Sequence, residues 1–199
     1  FAIIDENKVE QDSKEEVRKL AEGFYNDTYL MDQNACSSPH LIIWKASEMK
    51  KGREIFWNQL MESAKKYDLQ AKKVVDKYTL AAELSASGEL KFELKAYSNY
   101  LYVGKLRELP EKLDIVRGKY GFFYETDLKP MEELCRHIGT KVQTCATYGI
   151  DNNELMNELI GCGCQGIDRI VPIGKAMDIS VYWDGYDIIG TLSRIIAVE

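Results

Sequence analysis

The sequence has few of the residues and segments that mark membrane, secreted or disulfide-linked proteins. No apolar run approaches the roughly 18–20 residues of a membrane-spanning helix. The first residues, F-A-I-I-D-E-N, lack the basic start and the long apolar core of a secretory signal. The chain has only 5 cysteines among 199 residues. Because this number is odd and no secretion signal is present, we predict free thiols and a cytoplasmic protein. Because no apolar run is long enough, we also predict no membrane span.

The charge pattern and the scarcity of histidine argue against two further classes of protein. The formal charge is −6, and lysines are interleaved with acidic residues, so we predict no nucleic-acid partner. Cys162 and Cys164 form a C-x-C pair without a second pair nearby. Neither His40 nor His137 is spaced to complete a ligand set, so we predict no metal site.

Apolar residues recur with the periods of helices and strands along most of the chain. Ser13 to Glu16 reads as a capping box that starts a helix ending near residue 27, and a strand over 41–44 follows. Helices are predicted over 56–67 and 74–88, and strands over 90–95, near 100–103 and over 120–125. The inner face of the helix over 74–88 is predicted to consist of Val74, Val75, Tyr78, Ala81 and Ala82.

From residue 120 onwards, strands alternate with single helices. Helices are predicted over 131–138 and 153–160, between strands over 120–125, 142–148 and 169–173. Such an order is typical of a parallel sheet covered on both faces. We therefore predict an α/β fold with three αβα layers and a mostly parallel sheet.

The glycine-rich stretch from Gly161 to Gly166 matches the dinucleotide pattern G-x-G-x-x-G in its letters. The functional pattern follows a strand and opens a helix, so that helix amides face the pyrophosphate. Here it follows a predicted helix and precedes a strand. We therefore interpret these glycines as a helix stop and a tight return, and not as a cofactor site.

The stretch D-Q-N-A-C-S-S-P-H, residues 32–40, places Cys36 in turn chemistry just before a strand. Buried cysteine behaves as a small hydrophobe, whereas loops more often carry reactive groups. A nucleophilic thiolate needs access and nearby donors. The amide of Asn34, the hydroxyls of Ser37 and Ser38 and the backbone N–H groups of the turn are candidate donors, also for an oxyanion. His40 either faces the thiol or has a structural role.

Two separated blocks resemble one known family. D-Q-N-A-C-S-S-P at 32–39, between a helix and a strand, resembles the catalytic-cysteine region of the aldehyde dehydrogenase superfamily. Within it, the sequence is most similar to the acyl-CoA reductase (LuxC) family, the long-chain fatty acid reductase component of bacterial bioluminescence systems. The second block is G-I-D-R-I-V-P-I-G-K-A-M-D-I-S at 166–180, followed by W-D-G-Y-D at 183–187.

The resemblance implies an aldehyde dehydrogenase-like catalytic domain that forms an acyl thioester on Cys36. NADPH would then reduce this thioester to a long-chain aldehyde. Asn34, Ser37 and Ser38 are candidates for substrate binding, and residues 172–175 would lie near the active site. In the superfamily the nucleotide-binding domain lies upstream of the cysteine. A chain that opens on Phe1 without an initiating Met is therefore expected to be the C-terminal catalytic part of a larger protein, with little reductase activity alone.

Residues 1–180 are accordingly predicted to form the catalytic domain, and residues 181–199 a docking or oligomerisation tail. The expected partners are a long-chain acyl-CoA or other acyl thioester, an acyl-transferring enzyme and further copies of the chain. Two alternatives stay open. The first is a CoA-acylating dehydrogenase of a shorter aldehyde. The second is a non-catalytic assembly fragment with an inert Cys36, suggested by the apolar tail.

Overall fold

A seven-stranded sheet forms the centre of the molecule. The structure is a computed structural model and describes residues 1–49 and 51–198. The strands are β1 (Ala2–Asp5), β2 (Leu41–Lys45), β3 (Phe92–Ser98), β4 (Leu101–Leu106), β5 (Phe122–Asp127), β6 (Thr144–Tyr148) and β7 (Arg169–Pro172). Their order is β3-β4-β5-β2-β1-β6-β7, and every neighbouring pair is parallel except β3 with β4.

Helices cover both faces of this sheet. They are α1 (Glu6–Gln11), α2 (Lys14–Thr28), α3 (Gly52–Ala64), α4 (Ala71–Ser87), α5 (Met131–His137) and α6 (Asn152–Gly161). One buried cluster joins α2 and α3 to the sheet through Phe24 and Trp57, and another joins α5 and α6 through Leu134 and Leu155. The predicted α/β fold with a mostly parallel sheet between helical layers is therefore confirmed. In the described part of the chain, no helix has the length and apolarity needed to cross a bilayer.

The capping box predicted for α2 is confirmed. The Ser13 hydroxyl oxygen accepts the N–H of Glu16 at 3.3 Å, while the Glu16 carboxylate accepts the N–H of Ser13 at 2.8 Å. The helix then buries Leu20 and Phe24 and runs to Thr28, at the edge of the Cys36 turn. A signal at residue 13 thus fixes the helix that leads into the candidate site.

The face predicted for α4 is wrong in part. Val75 and Tyr78 are 61% and 65% exposed, whereas Lys77 is fully buried. The Lys77 ammonium donates to the carbonyl oxygens of Asn99 at 2.5 Å and Tyr120 at 2.8 Å. Burial lowers the pKa of Lys77 to about 8. The two carbonyls offset the desolvation of the ammonium, so a lysine occupies the position that an apolar pattern would give to a hydrophobe.

The tail after β7 forms a two-stranded hairpin, β8 (Tyr182–Trp183) with β9 (Tyr186–Asp187), and the short helix α7 (Ile188–Leu192). The hairpin contacts the sheet edge, because the Arg169 guanidinium stacks on the Trp183 ring at 4.3 Å. Beyond α7, Ile195 and Ile196 are 98% and 88% exposed. A docking or oligomerisation role for this apolar tail stays a prediction.

Candidate functional site

The turn that carries Cys36 lies between the end of α2 and the start of β2, at the amino ends of the parallel strands. Asp32 and Gln33 both have positive φ, 55° and 63°, and reverse the chain after the helix. The Cys36 side chain is exposed. The reversal is built by non-glycine residues in the left-handed region, so other contacts must hold it.

Gln33 supplies the first of these contacts. Its side chain is buried, and its amide nitrogen donates to the carbonyl oxygen of Phe122 at 2.9 Å. Its amide oxygen accepts the N–H of Gly121 at 3.0 Å. One amide therefore satisfies a backbone donor and a backbone acceptor at the start of β5 and fixes the Cys36 turn to the sheet.

Ser37 and Ser38 are buried, and both hydroxyls have partners within the protein. The Ser38 hydroxyl donates to the carbonyl oxygen of Asp27 at 2.7 Å. The Ser37 hydroxyl donates to the sulfur of Met177 at 3.6 Å. Asn34, by contrast, is exposed on the same turn as Cys36. The substrate-binding roles of these three residues stay predictions.

His40 lies at the foot of the turn and has a structural contact. Its Nδ1 accepts the N–H of Gly118 at 3.2 Å, which places the ring proton on Nε2. Burial, helped by the positive charge of Arg117, lowers the pKa of His40 to about 3. The imidazole is therefore neutral at physiological pH and cannot stabilise a Cys36 thiolate as an imidazolium. Gly118 is required here, because a Cβ would lie 1.7 Å from the Phe122 carbonyl oxygen.

A cavity of about 270 Å³ opens beside Cys36. Its wall combines polar groups with the apolar side chains of Leu41, Leu113 and Val116. Two cations, Arg117 and Lys141, also line it, and Lys141 pairs with Asp114 at 3.2 Å. The exposed thiol thus adjoins a partly apolar space with positive charge on its wall.

Two backbone N–H groups of the turn have no hydrogen-bond acceptor among the described residues. Within residues 1–49 and 51–198, the N–H groups of Cys36 and Ser37 make no hydrogen bond. Fixed N–H groups beside a nucleophile can bind the negative oxygen of a tetrahedral intermediate. The turn therefore has the parts needed for attack on a carbonyl: an accessible sulfur and two unused donors next to it.

The other four cysteines are buried or half-buried, and two of them also have a raised pKa. Cys145 is fully buried, and burial raises its pKa to about 12. Burial and the neighbouring thiols of Cys164 and Cys162 also raise the pKa of Cys135 to about 12. A thiol with so high a pKa carries almost no thiolate at neutral pH. Cys36 is the exposed member of the five.

The glycine-rich stretch from Gly161 to Gly166 does not form a cradle for a dinucleotide. The stretch from Gly161 to Gly166 begins where α6 ends and leads into β7, with Gly163 at φ 66°. Its amides therefore end a helix instead of opening one, so no residue here is assigned to NADPH. No group of three or more His, Cys, Asp or Glu side chains in the described ranges is arranged to hold a metal ion.

Sequence reasoning did not identify Gln33 or Asp27 as site residues. In the sequence, Gln33 stands only within the turn stretch over 32–40, and Asp27 only near the end of a predicted helix. Their partners lie 88 and 147 positions away in the chain. The one local signal was the unusual density of turn-forming residues around Gln33, which indicates a reversal but not its supports.

Fold and site together define an α/β domain with a mostly parallel sheet and an exposed cysteine on a turn before a central strand. Comparison with known proteins finds solved structures with a similar fold, but no curated protein with a similar sequence. No protein-family model matches the chain, and no curated protein matches it in sequence.

Aldehyde dehydrogenases are among the solved structures with a similar fold. One is indole-3-acetaldehyde dehydrogenase complexed with NAD+, with a TM-score of 0.55 and 9% identity, over 90% of this chain and 38% of that one. Bifunctional proline utilization A matches with a TM-score of 0.51 and 11% identity, over 87% of this chain and 18% of that one. An NAD-dependent aldehyde dehydrogenase from Sinorhizobium meliloti matches with a TM-score of 0.50 and 12% identity, over 86% of this chain and 36% of that one. At these identities the likeness establishes the fold, and the chain spans well under half of each protein.

Proposed function

We propose that this chain carries the cysteine nucleophile of an NADPH-dependent long-chain acyl-CoA reductase of the LuxC type. The observation that carries the proposal is Cys36 itself, an exposed thiol beside a cavity and next to two unused N–H groups. The aldehyde dehydrogenase fold of the chain supports an oxidoreductase of aldehydes or acyl groups.

In the proposed acyl-transfer step, the Cys36 thiolate attacks the thioester carbonyl carbon. The N–H groups of Cys36 and Ser37 bind the oxyanion that forms. Collapse of this intermediate breaks the carbon–sulfur bond to the carrier, which leaves as a thiolate and takes up a proton. The product is an acyl-Cys36 thioester, and no oxidation or reduction occurs in this step. Reduction of this thioester to the aldehyde would then take a hydride from NADPH.

The wall of the cavity supports a phosphorylated carrier such as coenzyme A. Arg117 is exposed and Lys141 keeps 81% of its side chain in solvent, so both cations are accessible to phosphate groups. Leu113 and Val116 offer apolar surface beside them for the start of an acyl chain. Asn34, exposed on the turn, is free to orient the thioester.

We expect incubation with a long-chain acyl-CoA to add one acyl group to the protein, located on Cys36 by peptide mapping. Intact-mass spectrometry measures the adduct. The Cys36→Ser variant should show none, because the serine hydroxyl is not ionised at neutral pH. Cys162→Ser is the matched control, since it removes a different, half-buried thiol, and it should react like the native protein.

The acyl-chain length separates the proposal from its alternative. If short acyl-CoAs acylate Cys36 as fast as long ones, a CoA-acylating dehydrogenase of a shorter aldehyde is the better reading. If Cys36 reacts with iodoacetamide but with no acyl-CoA, the acyl-transfer proposal fails.

We also propose that the exposed apolar tail, including Ile195 and Ile196, supports a homo-oligomer or an acyl-transferring partner.

A further inference from the structure

One side of α2 faces the loop formed by residues 173–178, which follows β7. Gly23 and Asp27 lie four positions apart, so they occupy the same side of the helix, one turn from each other. A Cβ on Gly23 would lie 3.1 Å from the Cα of Gly174 and 3.3 Å from the carbonyl oxygen of Ile173. The helix and the loop therefore touch backbone to backbone at Gly23.

Asp27 binds the same loop by its carboxylate. One oxygen accepts the N–H of Gly174 at 2.6 Å, and the other accepts the N–H of Ala176 at 3.0 Å. The Asp27 side chain is buried, with 1% exposure of the residue. A buried carboxylate whose two oxygens each accept a backbone N–H fixes the geometry of the segment that donates them.

The same residue also contacts the turn that carries Cys36. Its carbonyl oxygen accepts the Ser38 hydroxyl at 2.7 Å. The contact between Ser37 and Met177 joins the turn directly to the loop. Asp27 therefore lies at the junction of α2, the Cys36 turn and the loop over 173–178.

We propose that Asp27 is a positioning residue, which holds the loop over 173–178 against the turn that carries Cys36 and so shapes the approach to the thiol. This inference rests on the proposed function in that Cys36 is taken as the nucleophile. Asp27 acts through the loop and the turn, and it does not itself touch the sulfur.

The charge of Asp27 is sensitive to pH in the range of ordinary assays. Burial raises its pKa to about 6, against the two backbone N–H bonds, which lower it. The nearby charges belong to the loop and to β7: Asp178 raises the pKa of Asp27, Arg169 lowers it, and Lys175 also faces this carboxylate. Protonation turns one acceptor oxygen into a hydroxyl and weakens one of the two N–H bonds.

Asp27→Asn is the sharpest test, because it keeps the shape but places an amide NH₂ against one of the two donors. We expect the amide that faces this NH₂, Gly174 or Ala176, to exchange with deuterium about tenfold faster, or more, than in the native protein. In the native protein, the rate of Cys36 alkylation by iodoacetamide, divided by that of a free cysteine peptide, should change near pH 6. In Asp27→Asn this step should be absent.

Two further variants make the result specific. Asp178→Asn removes an exposed carboxylate from the same loop and should leave the exchange of both amides nearly unchanged. Gly23→Ala keeps the Asp27 carboxylate but inserts a methyl group where the backbones touch, and it should raise the exchange of the Gly174 amide without removing the pH step.

Unchanged amide exchange in Asp27→Asn, or a pH step that survives in this variant, would overturn the inference. Faster exchange together with loss of the step supports it. Both measurements use small probes and solvent deuterium, so they do not depend on acyl transfer. Failure of native Cys36 to accept an acyl group would therefore contradict the proposed function and leave this result intact.

Discussion

Replacing Arg53 with methionine is expected to lower the free energy of unfolding by about 3–5 kcal/mol, because it leaves the Glu6 carboxylate buried without its counter-charge. Glu6 is 0% exposed, and its oxygens accept the guanidinium Nε at 3.1 Å and a terminal nitrogen at 2.8 Å. Burial disfavours the charged guanidinium, yet the bonds to Glu6 and Asp127 raise the pKa of Arg53 above its ordinary value. Urea unfolding followed by tryptophan fluorescence measures the loss.

The matched control is Arg18→Met, the same substitution in an exposed pair on α2. Arg18 also binds a carboxylate through two nitrogens, at 2.9 and 2.8 Å from Glu15, but about half of each side chain is exposed. Exposed pairs contribute little to stability, so this variant should unfold nearly like the native protein. Adding Glu6→Gln to Arg53→Met should recover part of the loss. The prediction is wrong if Arg53→Met costs no more than Arg18→Met.

Gln33→Leu is expected to lower the free energy of unfolding by about 2–4 kcal/mol, since two buried hydrogen bonds disappear and the Gly121 N–H is left without an acceptor. The same change releases the Cys36 turn from the start of β5. Acyl transfer to Cys36 should therefore fall on the order of tenfold to a hundredfold, because a nucleophile displaced by about 1 Å reacts far more slowly. Alkylation by iodoacetamide, which needs only access, should persist.

Gln70→Leu serves as its control, because Gln70 is an exposed glutamine whose amide makes a single bond of 3.3 Å, to Asp68. This variant should keep both the stability and the acyl-transfer rate. If Gln33→Leu lowers stability but acyl transfer and alkylation fall equally, the effect is general unfolding and the supporting role of Gln33 is contradicted.

The sequence allowed good prediction of elements whose signals are local. The capping box at Ser13 and Glu16 marks the start of α2, and the Asp151 carboxylate caps α6 by accepting the N–H groups of Asn153 and Glu154. Alternation of strands and helices after residue 120 indicated the parallel sheet. For both caps the partners lie within three residues, so a single segment contains the whole signal.

Features that depend on distant partners could not be predicted in this way. Hydrophobicity alone predicts an inner face of α4 without Lys77, and no local pattern shows that Lys77 meets carbonyl groups from two other segments. Cys36 is predictable as a site residue because its neighbours are turn residues. The residues that hold the Cys36 turn are not predictable in this way, because the partners of Gln33 and Asp27 are set by the order of the strands in the sheet.

The wide separation of these partners has a consequence for how the protein folds. The bond between Asp27 and Gly174 spans 147 positions, and that between Gln33 and Gly121 spans 88. Contacts between such distant parts of a chain form slowly, because long loops must close first. We therefore expect α2 to form early and the surroundings of Cys36 to become ordered only when β5 and β7 have joined the sheet. Between these two events, the turn that carries Cys36 would lack the contacts that hold it in the folded protein.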